Sequence, residues 1–417
     1  MATGFGQFDA MYNILILVVV ISLIARQINF PSTIAFIFAG LLAAYAPRFP
    51  IPEISPDIFL SILLPPILFS ETLNTDIEGL LDDSDTILSY AFAGTILMVV
   101  AVAVFIHLIA GFTWIEAFFL GIIISPTDPV SVITTFNQMG VVKRFRLIVS
   151  GESLFNDGVA IVLYSILLII IEAGSITGRE VAQISIVKVF GGVLIGYIAG
   201  YLVHLIFCWT DDLFVKILLS FIAAFGVFRL AEEFGASGVI GVVVAGLILN
   251  YRCRLSGGLE KHEENSLKVM WEFVGFIASS FAFIFIGVSL EPQLLQGFLI
   301  QALALGVFTV VFRYVMVDLI ARTLEKYRRK RIPRNWKLGM MWSGLRGAVS
   351  VVLVLGLTSL DLPDKTGLLA LTYGIVLGSN IIQGLSMPWV VNQLRLYSTR
   401  SAPEASEVTT QESDSGL

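Results

Sequence analysis

The sequence predicts an all-α, polytopic membrane protein of about 13 transmembrane helices. These are built as two inverted six-helix repeats, with broken crossing helices in the fifth and twelfth spans. Three observations lead there. With 56% hydrophobic and only 14% charged residues, the chain has too little polar surface to cover a soluble globule. Its apolar runs repeatedly reach the length that crosses about 30 Å of hydrocarbon. Two of those runs, seven spans apart, are interrupted near their middles by residues that stop or loosen a helix.

The first run, from about Ala10 to Ile28, has no Lys or Arg before Arg26. It lacks the basic leader of a cleaved signal peptide and reads as a span. The next begin near Ser32, Pro56, Thr86 and Trp114, and the sixth near Arg144. The seventh starts near Val181 and forms a linker helix over residues 181–209; later spans start near Leu213, Ala236, Ser266, Gln296, Trp336 and Gly367. The repeats then cover residues 10–172 and 212–396, inside one transmembrane domain of residues 1–397 with short loops and no soluble domain. Lys and Arg in the loops after odd-numbered spans outnumber those on the other side several-fold, led by residues 322–337. That asymmetry puts the N-terminus outside and the C-terminus in the cytoplasm. Residues 398–417, rich in Ser, Thr and Glu, have too little apolar surface to offset the entropy of ordering and are expected to form a disordered cytoplasmic tail.

In the fifth span Ser125, Pro126, Thr127, Asp128 and Pro129 interrupt an apolar run. The two prolines remove backbone donors and clash with preceding carbonyls, so the helix must open. Inside a bilayer an opened backbone is tolerated only when buried in protein or facing a wet cavity, which predicts a cavity at membrane depth. The twelfth span carries Gly344, Leu345, Arg346 and Gly347 at the corresponding place. Paired interruptions of this kind mark a transporter's binding site; the plainer alternative, a proline kink and an unrelated glycine packing pair, does not explain their shared register. Half-helices end in partial charges, positive where they start and negative where they stop. Asp128 is expected to balance the former and Arg346 the latter.

The sixth span reads Gly151, Glu152, Ser153, Leu154, Phe155, Asn156, Asp157, Gly158 and then continues as apolar helix. Ser153 and Asp157 share one face, while Glu152 and Asn156 share the next, about 100° round. A mid-membrane carboxylate costs about 2.5–3.5 kcal/mol. Asp128, Glu152 and Asp157 therefore need partners or a task, as does Glu71 at the end of the third span, after Pro65 and Pro66. Oxygen ligands suit a hard cation: Asp157, the Ser153 hydroxyl and carbonyls freed near Thr127 can together replace a hydration shell. Because burial favours a carboxyl group's neutral form, Asp157 is expected to hold a proton or a cation, but not both. Exchange follows if the empty, charged site cannot cross. Arg313 in the eleventh span and Arg346 offset part of the negative charge, and Glu152 is expected to pair with Arg313, leaving Asp157 free to titrate.

Other polar residues read as structural. His107 and His204 stand alone in apolar runs; Arg229, Glu232 and Glu233 fit a solvated turn; Cys208 and Cys253 have neither the number nor the spacing of a disulfide framework or zinc cluster. The chain has no Gly-Lys dipeptide, hence no Walker A loop for a nucleotide-driven pump, and no His-Glu-x-x-His for an intramembrane protease. No cofactor, nucleotide or nucleic acid is expected.

Residues 125–130, 151–157, 64–66 and 344–347, with Arg313 upstream, carry a resemblance to a known family. They are similar to the electroneutral, prokaryotic sodium/proton exchanger branch of the monovalent cation/proton antiporter superfamily, over nearly the whole chain. The resemblance implies that Asn156 and Asp157 mark the transport carboxylate, that Glu152 partners Arg313, and that Thr127 and Asp128 match the broken fifth span. It also implies a homodimer, with the first three spans in a dimerisation domain beside a six-helix moving core. At one point the chain departs: many prokaryotic relatives have an acid directly after the Phe of the third span, whereas here Ser70 follows Phe69 and the acid is Glu71. Glu71 is carried over as a sodium ligand with Asp157, Ser153 and Thr127.

With Asn156 in place of a second acid, one proton exchanges for one cation and no net charge crosses. The membrane potential, about 2.3 kcal/mol per charge per 100 mV, then does not drive transport. The expected function is non-enzymatic: sodium (or lithium) for protons across the cell membrane by alternating access. A potassium/proton antiporter, and a cation channel or uniporter on the same fold, stay open at this point, since alkali-cation selectivity depends on cavity geometry.

Overall fold

The structure, a computed structural model, describes residues 2–28, 30–45, 56–128, 130–173, 177–256, 258–289, 292–328, 331–357, 360 and 362–397. Pro129 and the tail expected at 398–417 lie outside the described residues. The helices in chain order begin with α1 Ala2–Gln27, α2 Ser32–Ala44, α3 Pro56–Asn74 and the short α4 Ile77–Asp82. Then come α5 Ser84–Ala110, α6 Trp114–Ile124, α7 Val130–Gln138 and α8 Lys143–Ala173. They continue as α9 Gly178–Phe207, α10 Leu213–Glu233, α11 Gly238–Ser256, α12 Lys261–Val288 and α13 Pro292–Arg328. The last three are α14 Arg334–Trp342, α15 Ala348–Gly356 and α16 Lys365–Gln393. Among the described residues, 8 helices are long and apolar enough to cross a membrane, and no strand is present beyond a single bridge between Val141 and Tyr397.

Small residues let the helices approach closely. On α9, Gly192, Gly196 and Gly200 face the backbone oxygens of Ser237, just ahead of α11, and of Gly241 and Ala245 on it, so the two helices run parallel with a constant offset. Gly40 of α2 and Gly287 of α12 touch backbone to backbone. α12 also packs on α3, and α13 on α5 and α16. The polar first turn of α12 is helical because Glu260 and Glu263 cap it reciprocally, which places the start of α12 at Lys261, ahead of the apolar run near Ser266. α3 runs straight through Pro65 and Pro66.

The segment around α4, the start of α8 and the end of α11 meet at one end of the bundle. There Asp76 lies 2.7 Å from Lys143 and 3.9 Å from Arg254, and Arg144 pairs with Asp83 at 2.7 Å. At another loop junction, Glu116 caps α6 through Thr113 and accepts a 2.6 Å hydrogen bond from the Asp364 backbone, before α16.

Candidate cation site at the crossing of two broken helices

The two interruptions meet. α6 stops at Ile124 and the chain is non-helical from Ser125 to Asp128; α14 stops at Trp342 and α15 starts at Ala348. α6 and α15, 11 and 9 residues long, each cover about half the hydrocarbon thickness at about 1.5 Å per residue. The Asp128 backbone N–H donates to the Leu345 carbonyl at 2.8 Å, joining the breaks directly. The Arg346 guanidinium donates through Nη1 to the carbonyls of Ser125 (2.8 Å) and Pro126 (3.2 Å), beyond the negative end of α6. Asp128 lies at the start of α15, where a Cβ on Gly347 would sit 2.9 Å from its Cγ.

α8 holds the broken fifth span from the side. Asn156 Nδ2 donates to Thr127 Oγ1 at 2.8 Å, the Thr127 N–H reaches Asn156 Oδ1 at 3.5 Å, and the Ser153 hydroxyl donates to the Thr127 carbonyl. The break between α14 and α15 is held from α16 in a parallel way: Asn380 Nδ2 donates to the Arg346 carbonyl at 2.8 Å, and Ser379 Oγ accepts from the Arg346 N–H at 3.2 Å.

Glu152 and Arg313, both buried, lie 2.9 Å apart, and Arg313 Nε donates to the Met340 carbonyl in the last turn of α14. Gly344 leaves room for this guanidinium, since a Cβ there would stand 2.7 Å from Arg313 Nε. Asp157 is 7% exposed, and its Oδ1 has no hydrogen-bond partner among the described residues. It lines a narrow cavity with Glu71, Thr127 and Asp128, closed by Ser279 of α12 and Gly347. Despite its one-step displacement along α3, Glu71 reaches this wall. The carboxylates do not converge on a point: among the described residues no group of three His, Cys, Asp or Glu side chains has the geometry of a metal centre.

From Glu71 the space widens into a vestibule of about 520 Å³, lined by Asp76, Lys143 and Arg146 at the end of the bundle where the basic loops gather. The hydrogen bond from Lys143 holds the Asp76 carboxyl below the usual carboxylate range. Sequence reasoning passed over Glu272 and Ser279 on α12, which line these spaces, and Asn380. Each is a polar residue in an apolar run, the signal that would have found them.

The polar residues expected to be structural have local partners. His107 stacks on Trp114 and bonds the Phe112 carbonyl; Arg229 pairs with Glu233 on the surface; Glu232 accepts from the Gly238 N–H. His204 sits among Cys208, Cys253 and Ser256. The buried pair of Lys216 and Glu263, at 2.7 Å, ties α10 to α12 and was not anticipated.

Residues 14–393 match the family described as sodium/hydrogen exchanger, transmembrane. The chain is 32% identical over 405 residues to the Na(+)/H(+) antiporter NhaS2 of Synechocystis, covering 95% of this chain and 72% of that one. It is 31% identical over 389 residues to the Na(+)/H(+) antiporter ApNhaP of Aphanothece halophytica, covering 91% and 72%. The fold matches that of the sodium proton antiporter MjNhaP1 of Methanocaldococcus jannaschii with a TM-score of 0.79 at 18% identity, over 94% of this chain and 99% of that one. On the breadth of the family match, the chain belongs to the transmembrane sodium/hydrogen exchangers of the cation/proton antiporter superfamily, which are secondary transporters and not enzymes.

Proposed function

We propose that the protein exchanges sodium (or lithium) for protons across the cell membrane, one for one, with the cation and the proton competing for Asp157 as the site alternates between faces. One observation carries this reading: a buried carboxylate with an unpartnered oxygen lines a cavity where two helices are unwound against each other. Glu152 is committed to Arg313 and Arg346 to the carbonyls after α6; of the carboxylates that line the cavity, Asp157 is taken as the exchanging group for its buried, unpartnered oxygen. Glu71, Thr127 and Asp128 line the same cavity and supply further oxygens, while Ser153 and Asn156 hold the Thr127 segment in place. With one exchanging carboxylate, the ion leaving and the ion arriving carry equal charge, so the cycle is electroneutral. The names of the relatives support sodium as the substrate.

The same reading takes the parallel roles of Asn156 and Asn380 as the trace of an inverted repeat over residues 10–172 and 212–396. It puts the vestibule, with its basic loops, on the cytoplasmic side, and the protein in the membrane as a homodimer. The test is a proteoliposome assay with an imposed pH gradient, scanning sodium, lithium and potassium. Wild type should dissipate the gradient on adding sodium or lithium, and Asp157→Asn should not; normal exchange by the variant would remove Asp157 from the mechanism. Clamping the potential with potassium and valinomycin should leave the rate unchanged. A marked voltage dependence would refute the one-for-one count, and sodium flux without proton movement would indicate a channel.

A further inference from the structure

Helix α12 carries no break, yet it forms one wall of the path to Asp157. Glu272, 11 residues after Lys261, stands about 17 Å along the helix at about 1.5 Å per residue. It lines the 520 Å³ vestibule and also a neighbouring cavity of about 190 Å³, and Glu71 and Ser70 of α3 line both with it. Seven residues on, about two turns and therefore on the same face of α12, Ser279 reaches the inner cavity with Asp157. Between them Gly275 presses against α3, where a Cβ would stand 3.0 Å from Ser70 Cβ. A carboxylate, a close approach and a hydroxyl thus follow one another from the vestibule to the wall where Asp157, nine-tenths buried, has its unpartnered oxygen.

Among the described residues Glu272 makes no ion pair. Of the vestibule's cations, Lys143 pairs with Asp76, and Arg146 donates through Nη1 to Asn137 on the same wall. Glu272 is exposed, so its carboxylate stays solvated in the vestibule, and a negative wall in a low-dielectric funnel concentrates cations. We propose that Glu272 is the capture residue of the ion path: its carboxylate gathers the cation in the vestibule and delivers it between α3 and α12 to Glu71 and Asp157. This rests on the exchange reading above and adds to it a residue of the unbroken half, acting on cation entry from one face only.

Sodium dependence measured separately on the two faces of oriented vesicles tests it, with Asp157→Asn assayed in parallel. Glu272→Gln should raise the sodium KM about fivefold on the face where the vestibule opens, from the lost attraction of a nearby charge. It should leave kcat and the opposite face unchanged, and flatten the dependence on ionic strength. Glu272→Asp should keep KM within about twofold of wild type. An unchanged KM, or an equal loss of kcat on both faces, would overturn the capture role. If Asp157→Asn is inactive while Glu272→Gln behaves as wild type, capture alone falls; if Asp157→Asn exchanges normally, the exchange reading falls instead. Should Glu272→Gln fail to insert, Glu272→Cys in a chain with Cys208→Ser and Cys253→Ser can be labelled with thiol reagents of either charge. The anionic label should restore the low KM and the cationic label raise it; equal effects would again overturn the role.

Discussion

Gly344 and Gly347 each face a charged side chain from a distant span, Arg313 and Asp128, and the space each leaves explains why neither carries a Cβ. From the sequence these glycines marked a place where a helix loosens, but not what fills the gap, because Arg313 and Asp128 arrive from spans far away in the chain. The Glu152–Arg313 pair is the other product of that crowding. Glu152→Gln leaves a buried guanidinium without its counter-charge, and should destabilise the detergent-solubilised protein by about 3–5 kcal/mol, read from thermal unfolding. Glu152→Leu combined with Arg313→Met should lose much less, since a buried pair replaced by apolar side chains also sheds its desolvation cost. A double-variant loss equal to the sum of the losses for Glu152→Leu and Arg313→Met alone would show that the pair is not coupled. Asp157, Thr127, Asp128 and Glu71 could be grouped from sequence because mid-membrane acids are few and a broken helix attracts attention. Glu272 could not, since its relevance depends on how α12 packs against α3.

Proline breaks a span in one place and not in another. At Pro126 the chain leaves the helix and its freed carbonyls are taken up by Arg346, whereas α3 continues through Pro65 and Pro66. The difference lies in what the neighbours supply, so proline content alone does not separate the two cases. Helix starts after α1 were legible to within about two turns, and the miss at α12 has a local cause, the capped polar turn that opens it ahead of its apolar run; α1 begins at Ala2, eight residues ahead of the run near Ala10. Close packing of α9 on α11 was not legible, although the four-residue glycine spacing that makes it possible was present. A Cβ on Gly196 would stand 3.0 Å from Val244 Cβ and closer still to the Gly241 carbonyl. Gly196→Leu should therefore force these helices apart and destabilise by about 1–3 kcal/mol. Gly297→Leu on α13, where no atom lies within 4 Å, should leave thermal unfolding unchanged.

Viewed along the chain, the basic loops and the vestibule share one end of the bundle, an arrangement that charge bias hinted at and only folding could reveal. The unwound segments are fastened to one another by the bond from Asp128 to Leu345 and by the grip of Arg346 on Ser125 and Pro126. Such a fastening has a mechanical corollary. The crossing cannot part like a pair of doors without exposing several buried backbone groups at once, so the cross-piece should travel as a single rigid strut. The seam that slips must then lie where α15 rests on α3 and α12. Bridging Ile67→Cys on α3 to Val349→Cys on α15, which line the cavity from either side of that seam, should arrest sodium-driven proton flux until the link is reduced. Bridging Trp342→Cys to Ser386→Cys, whose native side chains are hydrogen-bonded at 2.8 Å within the strut's own body, should not.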